Sequence, residues 1–266
     1  MKHINKLNES KTKYGVGEWA QYSYNIGTGC TNNCRYCYAR DLAVEINQRT
    51  DETYTRESWR TEQVKTWKVD IDQTAKGTIM FPTMHDISEA YLETYIETLD
   101  NLLAANNEVL IVTKPRLNCI QQICDKFQDY RNKILIRMTI TSLDENLSQF
   151  WEQDAPLPEE RIQALQYAHE QGYKTSVSVE PMIDTVGRTI ELYNRLEPYI
   201  TEDIWFGKMN SIKYRVDASD KQTRDAVKAI YDNQTDRNIM KLYNELKDLP
   251  KVQWKDSIQS VVKRAS

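Results

Sequence analysis

The sequence predicts an α/β fold of parallel strands joined by helical crossovers, built as one domain. Six apolar, β-rich runs recur along the chain, each followed by a helical pattern; they cover residues 22–26, 78–83, 109–114, 134–141, 175–183 and 203–209. Strict alternation of the two kinds of element implies parallel strands with right-handed crossovers. Four of the runs, Val109-Leu110-Ile111-Val112 among them, read as strands buried on both faces of such a sheet. At 266 residues the chain has the ordinary length of one domain of the α/β-barrel kind.

The helices follow in order. After the first strand, residues 41–76 hold a helix ending near Arg49 and then a polar excursion before the second strand. Ser88 is a candidate cap for a helix whose apolar stripe is Leu92, Tyr95, Ile96, Leu99, Leu102 and Leu103. Residues 116–130 carry the next helix. Pro158 suits a first turn and Gly172 a stop for the helix containing Ile162, Leu165 and Ala168. Residues 187–196 supply another, and residues 226–246 one or two outer helices. The expected division is a core of about 20–215 and a helical extension of about 216–266. There is no internal repeat.

Composition narrows the class. No apolar stretch approaches the roughly 20 residues that span a bilayer, and the first residues, Met1-Lys2-His3-Ile4-Asn5-Lys6, form no signal sequence. A net charge of −4 argues weakly against a strongly basic nucleic-acid-binding surface and leaves room for a local basic groove. The expectation is a soluble, cytoplasmic enzyme whose cysteines bind metal in a reducing compartment.

The chemistry concentrates in Cys30-Thr31-Asn32-Asn33-Cys34-Arg35-Tyr36-Cys37, a Cys-x3-Cys-x2-Cys run. Soft thiolates at such spacing suit an iron–sulfur cluster, zinc or Cu(I). Three cysteines on a [4Fe–4S] cluster leave one iron open to another ligand. Zinc normally takes four ligands, and His3, His85 and His169 supply no matching histidine pair. Ordinary thiols are the remaining reading. Cys119 and Cys124, five apart on a helix, read as core thiols, and His169, mid-helix, as structural or exposed.

In parallel α/β barrels reacting groups gather at the C-terminal strand ends. That rule selects the cysteine loop, Thr83-Met84-His85-Asp86, Thr113-Lys114, Thr139 to Ser142, Glu180, and Lys208-Met209-Asn210. Alternation places Ser176, Ser178 and Glu180 on one strand face. His85 and Asp86 read either as an acid–base pair or as a polar strand cap. Trp151 and Glu152 are expected to open the helix after the fourth strand, at the substrate mouth or as an anchor for the following turn.

The cysteine run, with Tyr36 before its last cysteine, resembles the radical S-adenosylmethionine (SAM) family. The likeness narrows to its spore-photoproduct-lyase-like branch through Glu18-Trp19-Ala20, Phe81-Pro82-Thr83-Met84-His85-Asp86-Ile87, Val112-Thr113-Lys114-Pro115, Trp151 to Pro156 with Glu160-Arg161, Ser178-Val179-Glu180-Pro181 and Trp205 to Asn210. The resemblance implies an open (β/α)6 partial TIM-like barrel. It implies that Cys30, Cys34 and Cys37 hold a [4Fe–4S] cluster, and that Thr83, His85 and Asp86 lie where SAM's amino group is bound. Lys114 would face the SAM carboxylate, and Thr139 the ribose or methionyl portion. Tyr36, Glu180, Lys208 and Asn210 are further candidate contacts, and Tyr38, His85 and Glu180 the candidates for chemistry. The implied activity is reductive SAM cleavage to a 5′-deoxyadenosyl radical that takes hydrogen from a nucleic-acid base or a small metabolite. The implied electron source is a low-potential flavodoxin or ferredoxin. The alternative class is a non-catalytic iron–sulfur or zinc protein serving as sensor or scaffold. Met84 stands where spore photoproduct lyase has its hydrogen-donating cysteine, and a thioether has no S–H to give.

Overall fold

The computed structural model describes residues 5–47 and 54–265; His3 and the expected helix end at Arg49 lie outside them. In chain order the elements are β1 (Asn8–Glu9), β2 (Tyr22–Ser23), β3 (Gly27–Thr28), α1 (Tyr38–Asn47), β4 (Gln63–Val64), β5 (Thr78–Met80) and α2 (Leu92–Ala104). Then follow β6 (Glu108–Thr113), α3 (Leu117–Lys126), β7 (Ile134–Thr139), α4 (Glu145–Trp151), α5 (Pro158–Glu170), β8 (Lys174–Val179) and α6 (Val186–Leu196). The chain continues through β9 (Ile204–Phe206), α7 (Ile212–Arg215), α8 (Lys221–Asn233), α9 (Asp236–Leu246), β10 (Val252–Trp254) and α10 (Asp256–Ala265).

One sheet runs β1-β2-β5-β6-β7-β8-β9-β10. Every neighbouring pair from β2 onward is parallel, and only β1 pairs antiparallel with β2. The sheet is the open, partial-barrel arrangement expected. Strand alternation divides its two faces. Ile79, Val109, Ile111, Ile136, Met138, Val177, Val179, Ile204 and Phe206 pack outward into the core beneath the helices. Met80 and Leu110 turn inward, where Ala20, Val16 and Trp19 of the N-terminal segment cover them. The barrel interior is thus filled from its own N-terminal side. No helix among the described residues is long and apolar enough to cross a membrane.

Several expectations need correction. The C-terminal extension is not wholly helical: β10 adds a parallel strand beside β9, in register Val252↔Ile204 to Trp254↔Phe206. Helices α8 and α9 precede it, so the last segment is one more β/α unit of the same sheet. The runs at 78–83 and 175–183 give shorter strands, because Pro82 and Pro181 follow their ends and proline donates nothing to a ladder. Ser88 does not cap its helical turn; its hydroxyl donates instead to Glu62 Oε2 at 2.6 Å. Trp151 and Glu152 close α4 rather than opening a helix. His169 sits in the last turn of α5 against the Tyr199 ring. The polar excursion contains β4, which pairs antiparallel with β3 and so folds back onto the base of the cysteine loop. Cys119 and Cys124 are buried core residues of α3, as read.

Candidate active site

The cysteine loop is held by its backbone. Gly29 has φ +82°, and a Cβ there would lie 2.2 Å from the Thr61 carbonyl oxygen, so only glycine fits under the β4 excursion. Next to it the Cys30 N–H donates to Trp59 O at 2.8 Å, and further along the Arg35 N–H donates to Trp151 O at 2.8 Å. Cys34 and Glu152 form an isolated antiparallel bridge. At the loop's end α1 begins, and the Arg40 N–H in its first turn reaches Cys37 Sγ at 3.3 Å. All five cysteines are free thiols. Burial raises the Cys30 thiol, and pushes Cys34 up to about 12 although the Lys114 ammonium opposes it.

Glu152 is the residue on which this end of the barrel is organised. Its carboxylate is buried, takes the Tyr36 hydroxyl and the Thr141 hydroxyl, and lies 2.6 Å from Arg161 Nη1. Burial alone would raise its pKa; Arg161 first, and then Lys114, hold it below the ordinary range. Arg161 also donates to Pro156 O at 2.7 Å and Thr139 O at 3.3 Å, which ties the strand end of β7 to α5. The sequence runs containing Glu152 and Arg161 were noted above without this role.

Thirteen of the residues singled out from the sequence line one cavity of about 660 Å³ at the C-terminal ends of the strands: Cys30, Cys34, Cys37, Tyr36, Tyr38, Thr83, His85, Asp86, Lys114, Thr139, Glu180, Lys208 and Asn210; Thr113, Thr141, Ser142, Ser176, Trp151 and Glu152 do not line it. Met84 lines it too. Asp86 is spent on the protein. It accepts the Lys114 N–H at 2.6 Å, the Thr113 hydroxyl at 3.1 Å and Asn32 Nδ2 at 2.9 Å. Against the effect of burial, Lys114 and these donors keep it ionised.

The side chains of His85 and Asp86 are not hydrogen-bonded to each other. His85 Nδ1 meets the Tyr95 hydroxyl at 2.8 Å, and that hydroxyl donates to the Asp86 main-chain carbonyl at 3.3 Å. Both bonds form together only if Nδ1 carries the proton, which leaves Nε2 an acceptor. Nε2 is buried with no partner among the described residues. Burial lowers the His85 pKa to about 4, so the ring is neutral near pH 7.

Around the far wall the side chains are of a different kind. Lys255, just after β10, pairs with Glu18 and lies 3.4 Å from Glu180, while its ammonium stands 4.0 Å above the Trp19 ring. Glu18 also accepts the Asp256 N–H at 3.0 Å, and Lys255 donates to Gly15 O at 3.2 Å. These contacts join the N-terminal segment to the last strand across the open side of the barrel. Below them Arg137 on β7 donates to Ser176 at 2.7 Å and to Asp203 at 2.7 Å, between the Trp19 and Trp205 rings. Burial raises the Glu180 pKa, with Lys255 opposing. Gly207 lets this wall close: a Cβ there would stand 2.9 Å from Glu180 Cγ and 3.0 Å from Lys255 Cγ. The inward parity of β10 was the signal for Lys255, had that strand been recognised.

A model of the radical SAM superfamily matches residues 24–188, more than half of the chain. Uncharacterized protein ORF301 of Acidianus two-tailed virus is 24% identical over 214 residues, 73% of this chain and 69% of that protein. Uncharacterized protein MJ0683 of Methanocaldococcus jannaschii is 29% identical over 170 residues, 62% of this chain and 61% of that protein. Among solved structures, a tyrosine-to-phenylalanine mutant of spore photoproduct lyase superposes with a TM-score of 0.60 at 14% identity, over 95% of this chain and 79% of that one. SuiB of Streptococcus suis bound to S-adenosylmethionine gives 0.51 at 12% identity, over 87% and 49%. At these identities the two structures share the fold. The family match takes in the cysteine loop and the strands that carry most of the cavity wall, and the chain belongs to the radical SAM superfamily.

Proposed function

We propose that the chain is a radical SAM enzyme that holds a [4Fe–4S] cluster on Cys30, Cys34 and Cys37 and binds SAM in the same cavity. The observation that carries this reading is that three thiols, Lys114 and the polar strand ends line a single cavity of about 660 Å³, within the range of small-ligand sites. The donor set fits a cluster better than a lone ion. Among the described residues no three His, Cys, Asp or Glu side chains converge as a mononuclear metal requires. Cluster thiolates attach to separate irons and need no such convergence. The Asp86 carboxylate is already taken up by the Lys114 N–H and the Thr113 and Asn32 side chains.

Once bound and supplied with an electron from a low-potential flavodoxin or ferredoxin, the cluster and SAM would provide radical chemistry for hydrogen abstraction from a nucleic-acid base or small metabolite. The chain's own residues position and enclose. Lys114 has no carboxylate at ion-pair distance among the described residues, and its charge is held by Cys34, Asp86 and Glu152 against the effect of burial. It is therefore available to a ligand carboxylate as a point charge. His85 Nε2, an acceptor with a dry surround, suits the N–H of an amino group. Glu180 can accept from a ligand hydroxyl while Lys255 steadies it. Lys208, Asn210 and Thr139 complete the rim, and Tyr38 donates to Thr83 O beside Cys37.

The test is anaerobic reconstitution followed by iron and sulfide analysis and a 5′-deoxyadenosine assay with dithionite and SAM. The expected result is about four irons per chain and 5′-deoxyadenosine, with both lost in Cys34→Ala. Bound zinc, or a cluster without SAM turnover, would overturn the proposal in favour of a sensor or scaffold.

A further inference from the structure

The cysteine loop has a back as well as a cavity face. Behind it lies a second pocket of about 330 Å³, lined by Asn33 and Arg35 of the loop, Arg40 of α1, Arg56 and Arg60 of the excursion, and Gln153. None of the three thiols lines it, and Asn33 alone lines both pockets. The site described above makes no use of these four arginine side chains.

Three of the guanidinium groups are held in place by neutral acceptors. Arg35 Nε donates to Phe150 O at 2.7 Å, Arg40 Nη2 to Arg35 O at 2.8 Å, and Arg56 Nη1 to Arg215 O at 3.0 Å. A carbonyl orients a cation without cancelling its charge. Of the four arginines only Arg56 has a carboxylate at ion-pair distance among the described residues, Asp41 at 3.3 Å. Glu57 and Asp217 are the acids of the lining, so the pocket carries a surplus of two positive charges. Arg40 is 6% exposed, and its Nε has no partner among the described residues. A buried donor left unmet costs about 1–3 kcal/mol, which a bound acceptor would recover. Asn33 Nδ2 donates to Gln153 Oε1 at 2.9 Å, and this leaves the Gln153 N–H groups as neutral donors on the same wall.

We propose that this pocket binds a phosphate dianion, either inorganic phosphate or the phosphate of a small monoester. Guanidinium forks match the geometry of a phosphate group. Charge decides between oxyanions. A phosphate monoester carries about −1.5 to −2 near neutral pH, close to the surplus of the lining, whereas a carboxylate or a backbone phosphodiester brings a single charge. Size agrees, since about 330 Å³ is the lower end of small-ligand pockets, and a nucleic-acid strand wants an open groove with stacking platforms. The occupant would grip the cysteine loop from behind: Asn33 and Arg35 belong to the loop, and the Arg40 N–H bonds Cys37 Sγ at 3.3 Å. Occupancy therefore steadies the thiol-bearing segment from the side away from the large cavity. The assignment needs neither a cluster nor turnover, so it stands apart from the radical SAM reading.

The test is titration calorimetry of the full reduced chain, with and without reconstituted iron, against inorganic phosphate, ribose 5-phosphate and acetate at matched ionic strength. The expected result is saturable binding of phosphate and none of acetate. Tighter binding of the ester identifies a phosphorylated small molecule as the occupant, and tighter binding of the free ion identifies inorganic phosphate. Arg40→Gln, which is buried, and Arg60→Gln, which is exposed, should each lower the affinity about tenfold or more. Glu57→Gln, which removes a lining carboxylate, should raise it. R60Q changes only an exposed side chain, so it decides the matter if R40Q does not fold. Amide exchange across residues 30–40 should slow in saturating phosphate, and the slowing should be lost in R60Q at the same concentration. No saturable binding of either phosphate, or affinities unchanged in R60Q and E57Q, would overturn the site. A single-stranded oligonucleotide that binds through Arg60 more tightly than either phosphate would overturn the choice of occupant.

Discussion

Replacing Glu152 by glutamine removes one charge from a sealed site and little else. The amide keeps an oxygen for the Tyr36 and Thr141 hydroxyls, so the change falls on Arg161. Side-chain exposures of 0% for Glu152 and 1% for Arg161 mean that water cannot take over the lost partner. Breaking one side of a buried pair typically costs about 3–5 kcal/mol. Arg161 keeps its bonds to Pro156 O and Thr139 O, which points to the lower end, about 3 kcal/mol. In urea, with a slope of about 3 kcal/mol/M for a chain of this size, the unfolding midpoint of the reduced apoprotein should fall by about 1 M. The cysteine loop should loosen as well, because it is laddered to Trp151 and Glu152; iron retained after reconstitution should drop with the midpoint. The double replacement Glu152→Met with Arg161→Met removes both charges and should recover much of the stability, since apolar replacement of a whole buried pair is often near neutral. A loss below about 1 kcal/mol in E152Q, or a double variant worse than the single one, would refute the reasoning.

Two further outcomes follow from the same geometry. His85 has a pKa lowered by burial from 6.5 to about 4, so below pH 6.5 the unfolded chain takes the proton first. Stability from this site is full above that pH and is lost as pH falls through about 4, by up to about 3 kcal/mol; unfolding of His85→Gln between pH 4.5 and 7.5 should show a shallower acid loss than the unsubstituted protein. Gly29→Ala meets both a left-handed φ and the Thr61 carbonyl, and should cost at least about 2 kcal/mol and prevent iron uptake. A normal melting temperature with full iron in that variant would mean that the excursion moves aside freely.

Strand parity and the strand-end rule were enough to assemble the cavity wall, because both depend on local period: Ser176, Ser178 and Glu180 do face inward, and the cysteine run folds as a loop at the strand ends. What escaped was what local pattern cannot encode. Tyr36 and Glu152 are 116 residues apart, and nothing in either run announces the other. Ser88 has the composition of a cap, but Glu62 arrives from the excursion and captures its hydroxyl. The strand β10 is three residues long between Lys251 and Lys255, too short to display a period, and it exists because β9 offers an unpaired edge. Missing it meant missing Lys255.

The clasp of Lys255 on Glu18 and Gly15 also has a history in time. Gly15 and Lys255 are 240 residues apart, and chains are made at about 5–20 residues per second, so Glu18 and Trp19 wait on the order of 10–50 s for their partner. Over that interval the early β/α units can pack against one another while the inner wall lacks Lys255, Asp256 and Ser257. The thiols of the cysteine loop therefore emerge, and can fold against the excursion, in a vessel whose last stave is still being made.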